Sequence, residues 1–360
     1  MKYLFAVVCL ALVLGLSMSA QARDARIDYL VNQGKVTEAD VAAAETEGPN
    51  PWMAKQAYDI YISGYVQSQW AYTDEGDPDN EFLIRRARIK FEGMLGKDWG
   101  FVVENEFAGD SGLRRTGVWY NLGAGNIFLG QAKVPLVLEN ITSSSQLDTI
   151  NVSTIAGEVN VYDTGLFLDY GFLEGKVGVQ AAVTNGTGLN AAETNDAKDY
   201  TVRVWGKPFQ GSENPADGLM FAGAFSMGDQ QEVDIDDIDL GDFERTIWVG
   251  TVQWMYSGIK VQGEYVNIDQ DVAAGGSDGT DGWYVLASYD LPMTDLTVTP
   301  VAKYETADSD LGVGGDWITL GVRLSFVGTH DVKLEANYIL EDLDAGEDQD
   351  ELILQLQAAF

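Results

Sequence analysis

In the stretch FLIRRARIKFEGML (82–95), charged and apolar residues alternate: Arg86, Arg88, Lys90 and Glu92 take one phase, and Leu83, Ala87, Ile89, Phe91 and Leu95 take the other. A period of two belongs to a β-strand, whose successive side chains point to opposite faces. After residue 22 no segment holds the eighteen or so consecutive apolar residues that a membrane-crossing helix needs. A chain of this kind that crosses a membrane does so as a closed β-barrel, the one other structure in which every backbone group finds a partner within lipid.

The alternation recurs along the chain. YDIYISGYVQSQWAY (58–72) sets Ile60, Ile62, Val66, Trp70 and Tyr72 against Asp59, Ser63, Gln67 and Gln69. Arg85 breaks the phase near the outer end of its strand, where a long side chain can reach water. Further segments fall near 101–107, 117–122, 127–134, 161–170, 176–184, 200–207, 219–227, 246–256, 259–267, 283–289, 296–305, 317–326, 332–340 and 351–360, which makes sixteen strands. The expected fold is all-β: a transmembrane antiparallel up-and-down barrel of about sixteen strands.

The connections give a second test. Gly96–Asp98, Gly123–Gly125, Gly171–Glu174, Ser257–Gly258 and Val327–His330 are short and follow even-numbered strands. Thr73–Asn80, Asn185–Asp199, Gly228–Asp242, Asp269–Asp281, Thr306–Asp316 and Glu341–Asp350 are longer and follow odd-numbered ones. Outer-membrane barrels show this asymmetry, with short periplasmic turns and long external loops. The longest connection, Pro135 to about Asn160, is the third on the external side. Its Ser/Thr-rich ITSSSQLDTINVST suits a loop folded inward into a wet lumen.

Ahead of the barrel, Lys2, the apolar run Leu4–Leu16 and the small-residue pattern ending at Ala22 read as a secretory signal cleaved after Ala22. Cys9 sits inside that run, so a processed chain carries no thiol. Residues 23–56 have helix-like apolar spacing and read as a short periplasmic lead-in, with the barrel occupying 57–360. The net charge of -34 excludes nucleic acid as a partner. Much of the excess falls in external loops: Asp74, Glu75, Asp77, Asp79, the run DIDDIDLGD (234–242), and Glu341, Asp342, Asp344, Glu347, Asp348 and Asp350. A solvated surface accounts for it, and divalent bridging to outer-membrane lipid headgroups is the sharper reading. The spacing does not match a calcium-binding EF-hand loop, and no defined metal site follows.

No enzyme is expected. Gly109-Asp110-Ser111-Gly112 is a four-residue hydrolase-like fragment, but the single histidine, His330, falls in a turn at the opposite end of the barrel. A Ser–His pair needs hydrogen-bond reach. No P-loop, dinucleotide fingerprint or zinc-ligand spacing occurs, so no cofactor is expected.

At this point FLIRRARIKFEGMLGKDWGF (82–101), LGQAKVPLVLENITSSS (129–145) and the lead-in DYLVNQGKVTEADV (28–41) together resemble the phosphate-selective porin O and P family. The segments RVWGKPF (203–209) and VTPVAKYE (298–305) echo it more faintly. The resemblance implies a sixteen-stranded channel of the Gram-negative outer membrane, a homotrimer that passes small solutes, with inorganic anions such as phosphate foremost. Arg86, Arg88 and Lys133 fall on matching motif positions. The expected constriction loop departs from the pattern: 136–160 contains no Lys or Arg and carries Glu139, Asp148 and Glu158. A general or cation-preferring porin, or a structural or adhesive barrel, are the alternatives. From strand phase, the pore-lining, anion-binding candidates are Arg86, Arg88, Lys90, Lys133, Lys176, Arg203, Lys260, Lys303, Arg323 and Lys333. Glu92, Glu104, Glu106, Glu264, Glu305 and Glu335 stand on the same face as possible partners for them.

Overall fold

The computed structural model describes residues 60–74, 79–109, 111–193, 196–231, 242–272, 276–309, 314–327, 330–344 and 348–360. The expected signal segment (1–22), the helical lead-in (23–56) and the acid-rich stretch 234–241 lie outside the described residues. No helix among the described residues is long and apolar enough to cross a membrane.

Sixteen long strands form one antiparallel sheet. They are β1 (Ile60–Thr73), β2 (Asn80–Leu95), β3 (Trp99–Glu106), β4 (Gly112–Asn121), β5 (Gly125–Lys133), β6 (Tyr162–Phe172), β7 (Val177–Thr184) and β8 (Asp199–Gly206). The second half holds β9 (Leu219–Gln231), β10 (Asp242–Tyr256), β11 (Ile259–Val272), β12 (Gly276–Tyr289), β13 (Thr297–Ser309), β14 (Gly315–Val327), β15 (Val332–Leu343) and β16 (Glu351–Ala359). A two-residue piece, Leu291–Pro292, extends the ladder between β12 and β13. Each strand pairs with its neighbours in sequence, and β16 returns to β1 from Tyr65↔Ala359 to Thr73↔Glu351. Gly64 and Phe360 extend this seam with two reciprocal backbone hydrogen bonds of 2.9 Å. The sheet is therefore a closed barrel without edges.

The pleat divides polar from apolar. On the inner face Gln67 Nε2 donates to Gln357 Oε1 at 2.7 Å, Gln69 Nε2 to Gln355 Oε1 at 2.7 Å, and Gln355 Nε2 to Glu335 Oε2 at 2.9 Å, all between directly opposed residues. On the outer face Phe82, Ile84, Leu129, Trp248, Leu320 and Leu356 are exposed. Aromatic pairs mark both margins of that face. Trp99–Tyr120 and Trp254–Tyr256 lie toward the short turns, and Phe225–Trp248 and Trp283–Tyr304 lie farther up. Trp248 and Trp254 stand about 20 Å apart along β10 at the usual strand rise, which suits an apolar band flanked by aromatic girdles.

A bulge in the first hairpin corrects one phase assignment. Gln67 opposes Arg86 but Ser68 opposes Ile84, so Arg85 is passed over by the register. An extra residue inverts the alternation beyond it. Leu83 therefore opposes the buried Gln69 on the inner face, while Phe82 and Ile84 turn outward. Arg86, Arg88 and Lys90 keep the inner phase.

The wall is uneven in height. β3 to β8 have 8 to 11 residues, whereas β9 to β15 have 12 to 15. Much of what reads in sequence as long connections at 269–281 and 306–316 is paired strand, reaching Val272, Gly276, Ser309 and Gly315. The ladder continues there although the alternation of apolar and polar residues in the sequence fades. Conversely, the connection 207–218 after β8 is not a tight turn; it holds a 3₁₀ turn at Pro215–Gly218 started by Asn214.

Candidate functional site

The third long connection runs from the end of β5 to the start of β6 and carries two single-turn helices, α1 (Leu138–Ile141) and α2 (Thr154–Gly157). Its stems are apolar and pack inside the barrel. Val134, Leu136, Val137, Ile155, Ala156 and Val159 form one buried cluster with Ala224 of β9, Ile247 and Val249 of β10, and Val266 and Ile268 of β11. Burial of this kind contributes roughly 25 cal/mol per Å² of apolar surface, so the loop is packed against the wall and does not lie free in water.

Polar contacts from the wall then fix the loop's backbone. Glu264 of β11 accepts from the Leu138 N–H at 2.8 and 3.0 Å and from the Glu139 N–H at 3.3 Å; Thr251 and Tyr284 also donate to it. Glu305 of β13 accepts from the Thr154 N–H at 3.1 Å, and Asn337 of β15 from the Ile150 N–H at 2.8 Å. Within the loop, the Glu139 carboxylate accepts from the Ser153 N–H at 2.6 Å, and Asn140 donates to the Ala156 carbonyl at 2.7 Å, tying α1 to α2. Gln67 and Gln357 reach the Ser144 and Ser145 carbonyls at 3.2 Å.

Asp148 holds the far end. Its carboxylate takes Lys260 Nζ at 2.6 Å and Arg323 Nη1 at 3.2 Å. Burial pushes this carboxyl up, but Lys260 and then Arg323 more than offset that, leaving it below the usual aspartate value of 3.8. His330, on the turn below β15, is half-buried. Burial first, then Lys333 and Arg323, lower it to about 4, so it is neutral at pH 7.

Nine of the ten cations expected from strand phase fall into two groups. Six meet carboxylates: Arg88 with Glu106 at 2.6 Å, Lys90 with Glu92 at 3.2 Å, Lys260 with Asp148, Lys303 with Glu305 at 3.4 Å, Arg323 with Asp148 and Asp290, and Lys333 with Glu335 at 2.9 Å. Three reach neutral oxygens instead. Arg86 Nη1 donates to Gln67 Oε1 at 2.9 Å, Lys133 Nζ to the Thr142 carbonyl at 2.5 Å, and Arg203 Nη1 to Gln180 Oε1 at 3.2 Å. Lys133 also lies over the Tyr162 ring and Arg88 over the Tyr65 ring. Lys176 stands apart: it is exposed and follows the 3₁₀ turn Leu173–Gly175, one residue before β7 begins, so it belongs to a short turn and not to the strand.

The sequence offered two signals for the loop's seat that strand phase alone leaves unused. Ile247, Val249, Val266 and Ile268 make β10 and β11 apolar on the inner as well as the outer face, which marks a covered interior. Glu264 was legible as an inner acid, but its role as an acceptor for loop N–H groups was not. Among the described residues no group of three or more His, Cys, Asp or Glu side chains gathers to hold a metal ion. Exposed Ser111 follows β3 at the long-connection end, while His330 follows β14 at the other end.

A closed antiparallel barrel with an apolar outer band, a polar lumen and a long loop folded into that lumen is the architecture of an outer-membrane porin channel. The sequence profile of the family described as phosphate-selective porin O and P matches residues 60–305, and the chain belongs to that family. No curated protein matches it. Among solved structures it is similar to OmpT of Vibrio cholerae in its trimer form, with 10% identity and a TM-score of 0.63 over 85% of this chain and 100% of that one. It is also similar to the anion-selective porin of Comamonas acidovorans (15%, 0.62, 84% and 100%). The outer membrane channel DcaP of Acinetobacter baumannii resembles it as well (13%, 0.58, 85% and 99%). These likenesses establish the fold.

Proposed function

We propose that the barrel is a passive channel for small solutes that favours inorganic anions, phosphate among them. The reading rests on the unequal pairing of charge in the lumen. Of the third loop's acids, Asp148 has its charge met by Lys260 and Arg323, and Glu139 is turned into the loop to accept the Ser153 N–H. Arg86 and Lys133, by contrast, direct their hydrogen bonds to neutral oxygens and form no ion pair of their own. A confined lumen screens charge less than bulk water, so such cations raise the local concentration of anions. The anion-selective Comamonas porin shares the fold. A homotrimer in outer-membrane lipid, exported behind a cleaved signal of residues 1–22, completes the proposal, and transport of this kind calls for no catalytic group or cofactor.

The test is the reversal potential of single channels in a salt gradient. Neutralising both residues (Arg86→Gln with Lys133→Gln) is expected to lower the anion-to-cation permeability ratio several-fold, more at low salt than at high. An unchanged ratio would replace this reading with that of a general or cation-preferring porin.

A further inference from the structure

We propose that Asp148 is a positioning residue that sets the width of the pore by pinning the third loop across the barrel. The inference rests on the porin reading above and assigns its aperture to one side chain.

Both stems of the loop leave from the long-connection end, where β5 finishes and β6 begins. Asp148 meets its partners at the opposite end. Lys260 is the second residue of β11, just past the turn Ser257–Gly258, and Arg323 lies in the last part of β14; next to Asp148, the Leu147 carbonyl is reached by Lys333, the second residue of β15. The loop thus traverses the lumen lengthwise. Its stems are held independently, by the apolar cluster and by Glu264 and Glu305.

The span between them has different support. Residues 142–147 (Thr-Ser-Ser-Ser-Gln-Leu) form no helix and are held through backbone carbonyls by Lys133, Gln67, Gln357 and Lys333, the last at 3.5 Å. A carbonyl in a wet lumen exchanges such bonds with water at small net cost. Asp148 instead places one carboxylate between two cations anchored on separate strands, with side chains of Asp148 and Arg323 only 9% and 4% exposed. The charged groups facing it are Lys260 on β11, Arg323 on β14, Asp290 after β12, Lys333 and Glu335 on β15, and His330 on the turn. Removing the carboxylate leaves Lys260 without its ion-pair partner and Arg323 with Asp290 alone, so the two cations repel each other and the span loses its charged anchor.

Single-channel conductance and current noise at neutral pH read this directly. Asp148→Asn is expected to conduct about twofold more than the parent, with flicker between levels, as expected of a released two-state segment. Asp148→Glu is expected to restore the parent level. Asp290→Asn, which touches Arg323 but not the loop, is expected to leave conductance unchanged. Heat-modifiable mobility on gels reports folding of each variant. If Asp148→Asn fails to fold, Lys260→Gln with Arg323→Gln removes the pin from the wall side and is expected to give the same enlarged, flickering channel. Parent-like size and noise in folded Asp148→Asn or in the wall-side double variant would overturn the pin while leaving the porin reading intact. A parent barrel that passes no current would overturn both.

Discussion

The two sides of the lumen differ in what they do with their charges. The wall from β9 through β16 to β1 carries the third loop. Its acids, amides and cations are spent on that loop or on each other: Glu264 and Glu305 hold backbone N–H groups, Lys333 pairs with Glu335, and Ile247, Val249, Val266 and Ile268 seat apolar stems. The facing wall, β2 to β8, is built mostly of shorter strands; it keeps Arg86 and Arg203 on side-chain amides and reaches the loop through Lys133, at the Thr142 carbonyl. Both walls present the same alternating pattern, and both would be lumen by phase. What separates them is where the loop lies. Strand phase says which residues point inward; the loop decides which of them a solute can meet.

The sharpest way to break this contrast is to cut the loop from its wall. Glu264 is 3% exposed and accepts from Leu138, Glu139, Thr251 and Tyr284. Its replacement by Ala strands four donors, and leaving a buried donor unsatisfied costs about 1–3 kcal/mol. The expected result is a markedly lower urea midpoint for the folded gel band, together with proteolytic cleavage within 134–161. On the open wall Lys90→Gln removes a half-exposed pair with Glu92, and such pairs are worth about 0–1 kcal/mol. Equal midpoints for the two variants would mean that the loop does not depend on its wall.

The strands were legible because their chemistry is repetitive: one face meets lipid, the other water, and each of the sixteen segments shows it. Legibility fails where that division ends. The strand ends at 269–272 and 276–281 lack the alternation of apolar and polar residues in sequence, so pairing continues with no pattern to report it. It also fails at Arg85, since one passed-over residue inverts the phase and leaves the composition unchanged. The candidate site was half-legible for a related reason. Phase finds Lys303 and Arg323 as inward cations, but their partners, Glu305 two residues on and Asp148 on the loop, depend on rotamer and loop path.

At the loop's far end, acid should act through His330 before it acts on Asp148. Asp148 sits below 3.8 in the folded protein, so its pin is fully present above that pH and is lost only as pH falls through the lower folded value. His330 behaves differently. Its folded value of about 4 lies below the ordinary 6.5, so between those values the unfolded chain binds protons that the folded one refuses, and stability declines as pH drops through that window. Urea midpoints of the parent should therefore fall from pH 6.5 toward 4, with a shallower slope in His330→Gln. Conductance should hold steady over the same range and become noisy only below about 4. Identical slopes would show that His330 is not held neutral at the loop's far end.

The smallest expected effect compares two adjacent arginines. Arg86 lies in register opposite Gln67 and donates to it inside the barrel, whereas Arg85 is the residue the bulge passes over. The two have the same charge, so any influence on permeating ions that depended on net charge alone would be equal. If the inner wall governs selectivity, Arg86→Gln should lower the anion-to-cation ratio measurably at low salt, and Arg85→Gln should leave it within error. Charges outside the lumen are screened over roughly 10 Å at 0.1 M salt, so the gap between the two variants should persist as salt is raised even while both effects shrink. A ratio that moves equally for both would place Arg85 on the conducting surface. That outcome would leave Phe82 and Ile84 outward, because the register reverses the phase beyond the passed-over residue, and it would make the bulge itself part of the pore wall.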